Sequence, residues 1–111
     1  MPHFMIQMKY SADAVKAMVA NPQDRKKAAA AAIEASGGKM VSVYFTLGAK
    51  DVVVIYEAPD AISAVGLSMV LGASGAASDV ETTPLLTSAE AMEAMKRAAK
   101  SLPNYKTPMK K

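Results

Sequence analysis

Cysteine is absent from this chain, and with it go disulfides, thiolate metal sites and cysteine nucleophiles. Tryptophan is absent too, and aromatic residues make up only 5% of the 111 positions. Ala, Val and Met must therefore fill most of any core, and nine Met residues provide chains that adapt to irregular gaps. Histidine occurs once, as His3, and the carboxylates are scattered, so no metal site is expected. Gly72-Ala73-Ser74-Gly75 lacks the lysine and helix that follow a phosphate-cradling loop, and no serine sits in a nucleophile elbow. No cofactor is expected.

A charge-free stretch runs from Ala61 to Ser78, close to the length of a membrane span. Its richness in Ala, Gly and Ser, and the breaks at Gly72 and Gly75, point instead to a buried helix followed by a loop. No membrane association is expected. Lack of cysteine fits a reducing compartment, and Met1-Pro2-His3-Phe4 has no basic segment ahead of an apolar run. The expected location is cytoplasmic. Acids are missing after Glu93. Lys96, Arg97, Lys100, Lys106, Lys110 and Lys111 contribute +6 to a net charge of +3, which leaves residues 1–95 at −3. A basic end can touch nucleic acid or anionic lipid, but cations also suit the C-terminal end of a helix. With no aromatics interleaved, any nucleic-acid contact would be unspecific and salt-dependent.

What is present is a clear order of elements. Phe4, Ile6, Met8 and Tyr10 alternate with His3, Met5, Gln7 and Lys9, the period of a half-buried strand over 3–10. Ser11 offers an N-cap for a helix from Ala12. That helix breaks at Asn21-Pro22, resumes near Asp24 and stops by Gly37-Gly38. A strand over 39–47 places Val41, Val43, Phe45 and Leu47 on the core side and Met40, Ser42, Tyr44 and Thr46 on the other. Gly48-Ala49-Lys50 links it to a strand over 51–57, as in a hairpin. There Val52, Val54 and Tyr56 oppose Asp51, Val53, Ile55 and Glu57. Pro59-Asp60 opens a helix that ends near Leu71. Residues 79–86 read as a fourth strand, with Pro84 marking an edge or a bulge. Thr87-Ser88-Ala89-Glu90 is a capping box for a helix to Ser101. The domain is expected over 1–101, with a basic tail over 102–111.

The order β-α-β-β-α-β with an appended helix is the ferredoxin-like pattern of an α+β domain. It predicts a four-stranded antiparallel sheet with helices on one face. Lys9-Tyr10-Ser11, Gly37-Gly38-Lys39, Tyr44-Phe45-Thr46-Leu47-Gly48, Glu57-Ala58-Pro59-Asp60 and Leu71-Gly72-Ala73-Ser74-Gly75, with the Asp24-Arg25 helix start and Asp51-Val52-Val53, together resemble the GYD-domain family of small bacterial proteins. The likeness covers roughly residues 2–98. The family's Gly maps to Gly48 and its Asp to Asp51, while Lys50 stands where its Tyr falls. The resemblance implies a dimeric α/β barrel, in which two open sheet faces pack together. Relatives in that wider group include cofactor-free monooxygenases and ligand-sensing domains.

The polar strand faces place His3, Gln7, Ser42, Tyr44, Thr46, Asp51 and Glu57 on the open side of the sheet. His3, oriented by a carboxylate such as Asp51, is the candidate general base; as the third residue of the chain it equally reads as a frayed end. Gln7, Tyr44, Thr46, Gly48 and Glu57 are the candidate ligand contacts, although Gly48 and Asp51 also suit the plain role of turn residues. Tyr10, Tyr44 and Tyr56 read first as core or interface groups. The composition and this surface favour a homo-oligomeric domain, a dimer or larger, that binds a small molecule or a protein in a cleft between the open sheet face and its helices or dimer mate. The alternative is a cofactor-independent monooxygenase- or isomerase-like enzyme using the same cleft.

Overall fold

The computed structural model describes residues 1–46 and 48–109. Leu47, expected on the core side of the second strand, and Lys110 and Lys111 of the basic tail lie outside the described residues. Strand β1 (His3–Tyr10) leads through α1 (Ala12–Ala20) and α2 (Lys26–Ala35) to β2 (Lys39–Phe45) and β3 (Val52–Glu57). Then follow α3 (Ala61–Ala73), β4 (Ala77–Leu85), α4 (Ser88–Ser101) and a single 3-10 turn over Leu102–Asn104. The strands pair antiparallel in the order β2-β3-β1-β4. This is the ferredoxin-like α+β arrangement that the element order predicts.

Alternation on the two central strands decides where the core lies. Phe4, Ile6 and Met8 of β1 and Val52, Val54 and Tyr56 of β3 are all buried. They meet Ile33 of α2 and Ala64 and Leu67 of α3 on one sheet face. Residues on the other side of those strands (His3, Met5, Gln7, Val53, Ile55 and Glu57) are only half-buried.

The two edge strands each carry a bulge. In β2, Met40 pairs with Tyr56 but Ser42 pairs with Ile55, so Val41 is the extra residue. That inserted residue reverses the expected faces of two positions. Met40 packs against the core and Val41 is 54% exposed, because one added residue turns every side chain before it to the opposite side. Downstream of the bulge Val43 faces the core and Tyr44 does not, as alternation predicts. In β4 the pairing shifts from Gln7↔Glu81 to Lys9↔Ser78. Asp79, with φ of 52°, lies in that irregularity. The strand consequently starts at Ala77 rather than 79, since the bulge lets Ala77 and Ser78 pair beyond it. Pro84 sits on this edge strand, where a missing amide donor is tolerated.

Helix ends follow local chemistry. The Ser11 hydroxyl accepts from Ala14 N, and the Asp60 carboxylate from Ser63 N at 2.8 Å. The Ser63 amide holds the Asp60 carboxyl below its ordinary pKa. Thr87 and Glu90 form the reciprocal capping box, and the Thr87 amide likewise lowers the pKa of Glu90. Helix α2 ends in a Schellman motif: Gly37 N donates to Glu34 O and Gly38 N to Ile33 O, with Gly37 at φ 86°. A Cβ on Gly38 would lie 2.2 Å from the Glu57 carbonyl oxygen, so the chain passes β3 where only glycine fits.

Candidate functional site

The proposed site residues occupy three regions of the sheet. His3 stands opposite Glu57 at one end, and Lys39 pairs with Glu57 on its other side. Gln7 and Tyr44 flank Val53 in the middle of the open face, and Ser42 lies beside Ile55. Thr46, Gly48 and Asp51 lie at the far end, around the β2–β3 hairpin. Asp51 precedes β3 by one residue while Glu57 ends it, so about 20 Å of strand separates Asp51 from His3. The structure therefore gives His3 a carboxylate neighbour in Glu57 and not in Asp51.

Asp51 is tied into the backbone. Its Oδ2 accepts from Tyr10 N at 2.9 Å, and Lys9 Nζ lies 3.7 Å from Oδ1. Its own amide donates to Met8 O, and its carbonyl accepts from Thr46 N. The Thr46 hydroxyl donates to the Lys50 carbonyl. These bonds fix the hairpin against the end of β1.

Beside this anchor is a cleft of about 460 Å³, lined by Tyr10, Val15, Met18, Val19, Pro22, Gln23, Phe45, Thr46 and Asp51. It falls within the range of small-molecule sites. Its floor is the stacked pair Tyr10 and Phe45, with ring centroids 5.9 Å apart. Its roof is α1, which buries none of its own residues: Val19 is 74% exposed and Val15 43%. Asn21 caps the end of α1, and Pro22 and Gln23 beyond it join the lining. The lining is mostly apolar, with Tyr10, Gln23, Thr46 and Asp51 as its polar residues. Strand alternation places Thr46 and Asp51 on the open side of the sheet, whereas the cleft they line lies under α1 and takes in Tyr10 and Phe45 of the opposite set. The spacing of Val15, Met18 and Val19 (i, i+3, i+4) was the available signal, but such a stripe ordinarily means core packing.

Lys50 has a role that its position in the link did not reveal. Its Nζ reaches over β1 to Asp79 Oδ2 at 2.6 Å and Glu81 Oε1 at 3.5 Å, and donates to the Asp79 carbonyl at 3.1 Å. The hydrogen bond to Asp79 raises the Lys50 pKa above its ordinary value of 10.5. Among the described residues no cluster of three or more His, Asp or Glu is placed to hold a metal, and no helix is long and apolar enough to cross a membrane.

Four antiparallel strands, two helices packed on one face and a hairpin-edge cleft define a ferredoxin-like α+β domain. Its sequence matches the GYD domain over residues 4–95. The chain belongs to the GYD-domain family. No curated protein and no solved structure matches it.

Proposed function

We propose that this chain is a non-catalytic, homo-oligomeric binding module that holds a small, mostly apolar molecule in the cleft under α1. The observation that carries this reading is the cleft itself. It has an aromatic floor, an aliphatic roof that no core residue covers, and a few polar groups in its lining. Such a lining suits a ligand with an apolar body and one hydrogen-bonding group directed at Thr46, Gln23 or Asp51. Asp51 already accepts the Tyr10 amide, so it contributes a fixed acceptor rather than a free base. Oligomer formation is supported by the sheet side opposite the core, where Met5, Val53, Ile55 and the 67%-exposed Tyr44 lie uncovered.

The enzymatic alternative receives less support. A general base at His3 with Asp51 as its orienting group would require contact across the length of β3, and the aromatic cleft contains no histidine.

A fluorescence titration with a neutral naphthylamine probe tests the site. The wild type is expected to bind it saturably, Val19→Glu and Met18→Glu to lose binding, and Lys27→Glu on the exposed side of α2 to retain it. Equal binding by all three variants would remove the cleft from the account.

A further inference from the structure

The last helix has no seat in its own chain. Helix α4 buries none of its residues and packs on no strand or earlier helix beyond grazing contact. The described residues have a radius of gyration of 17.8 Å and a longest extent of 60 Å, against about 13 Å for the radius of a compact domain of this size. The difference is an arm that projects from the end of β4.

That arm is strongly two-sided. At 3.6 residues per turn, Glu90, Glu93, Lys96, Arg97 and Lys100 fall on one side of α4. Ala91, Met92, Met95, Ala98, Ala99 and Leu102 fall on the other, across an arc of about 120° with no charge in it. Met92, Met95 and Leu102 are all more than half exposed. A 14-residue helix standing alone in water is marginal even with a good cap, because nucleation is costly and nothing packs against its apolar side. Its apolar face needs a cover.

A matching surface lies elsewhere on the same fold. Helix α3 carries no charged residue on any side. Ala64 and Leu67 serve the core, while Ile62, Val65 and Met69 form an outward stripe, exposed at 84%, 49% and 68%. These three residues, with Ala61 and Gly66, border an open groove of about 420 Å³. Gly66 sits in mid-helix, where a Cβ would meet nothing within 4 Å in this chain. Glycine there weakens the helix without serving its own fold, and it does leave room for another helix to approach closely. The open sheet face is a poorer seat, since it carries His3, Gln7, Glu57 and Glu81, whereas the outer side of α3 is as free of charge as the apolar side of α4.

We infer that the outer face of α3 receives α4 of a second copy of this chain, the arms being exchanged between protomers. Both uncovered faces are then buried in one contact, and the charged side of α4 stays in water. Exchange of an identical element is a low-cost route to a closed dimer. This contact stands apart from the ligand cleft and does not require the sheets to pair.

A chain without cysteine makes the test clean. Single cysteines replacing Met92 or Met95 are mixed pairwise with single cysteines replacing Ile62, Val65 or Met69, then oxidised and run on a non-reducing gel. The expected result is disulfide-linked dimer in at least one mixed pair and far less in either variant alone. Hydrogen exchange supplies the second readout: amides of α4 are expected to be protected at high chain concentration, and Met92→Glu with Met95→Glu to remove that protection while the sheet stays protected. Cross-linking of Met95→Cys only with itself would overturn the inference in favour of paired arms. So would closure within one chain of a molecule carrying both cysteines. An oligomer with no cross-link between α4 and α3 would also overturn it, leaving the sheet-face reading intact.

Discussion

Lys50 and Asp79 form a 2.6 Å ion pair that spans β1 and fastens the hairpin tip to the irregular start of β4. Asp79 is the one described non-glycine residue with positive φ, a conformation that costs energy for an L side chain. The ammonium bonds both the carboxylate and the carbonyl of that residue, and so holds the bulge closed. Lys50→Met is expected to melt a few degrees below the wild type at neutral pH and to expose the Ala77 and Ser78 amides to faster exchange. Because partnership with Asp79 raises the Lys50 pKa, its stabilisation is complete below 10.5 and fades as the pH climbs through the higher folded-state value. The gap between wild type and variant in thermal melts should therefore narrow at strongly alkaline pH and in high salt. A gap independent of both would assign the effect to packing.

The bulge in β2 makes adjacent residues unequal. Met40 packs on the core and Val41 does not. Met40→Ala should cost about 1–2 kcal/mol in urea unfolding, reduced from a full core deletion because the side chain is only half-buried. Val41→Thr should stay within about 0.5 kcal/mol of the wild type. The reverse ranking would return β2 to uninterrupted alternation.

Tyr56 is fully buried, and its hydroxyl has no hydrogen-bond partner among the described residues. Burial pushes its pKa above the ordinary 10.0. The unfolded chain ionises first as the pH rises past that value, so this residue makes stability fall in the alkaline range. Tyr56→Phe should leave the Phe4 contact in place and match or exceed wild-type stability by up to about 1 kcal/mol at neutral pH. It should also flatten the alkaline loss. A drop of similar size would mean that the hydroxyl has a partner, such as a buried water.

Gly38→Ala would drive a methyl group into the Glu57 carbonyl and against Ile33. Backbone cannot yield as a side-chain tip can, so the cost should reach about 3 kcal/mol or more. Gly48→Ala, where a Cβ meets nothing within 4 Å, serves as the control and should change the melting temperature little.

Much of the fold is legible in the residues themselves. Phe4, Ile6 and Met8 against His3, Met5 and Gln7 reveal β1 because a half-buried strand has a period of two, and Thr87 with Glu90 marks the start of α4 through paired capping bonds. The Val41 bulge is not legible, since Met40 and Val41 are both apolar and alternation cannot show an inserted residue. Lys50 looked like a break in a family motif, because its partners Asp79 and Glu81 lie on a strand that becomes near only through pairing with β1. The cleft was hidden for a related reason. Val15, Met18 and Val19 carry the pattern of a helix packed on a core, and only tertiary placement shows α1 standing off from the sheet.

The most direct measurement is native mass spectrometry of the purified full-length chain under gentle ionisation. The account predicts an assembly of two or more chains that retains added mass from a small bound molecule, with Val19→Glu losing that mass while keeping the assembly. A bare monomer across the concentration range, with no ligand retained or taken up, would contradict it.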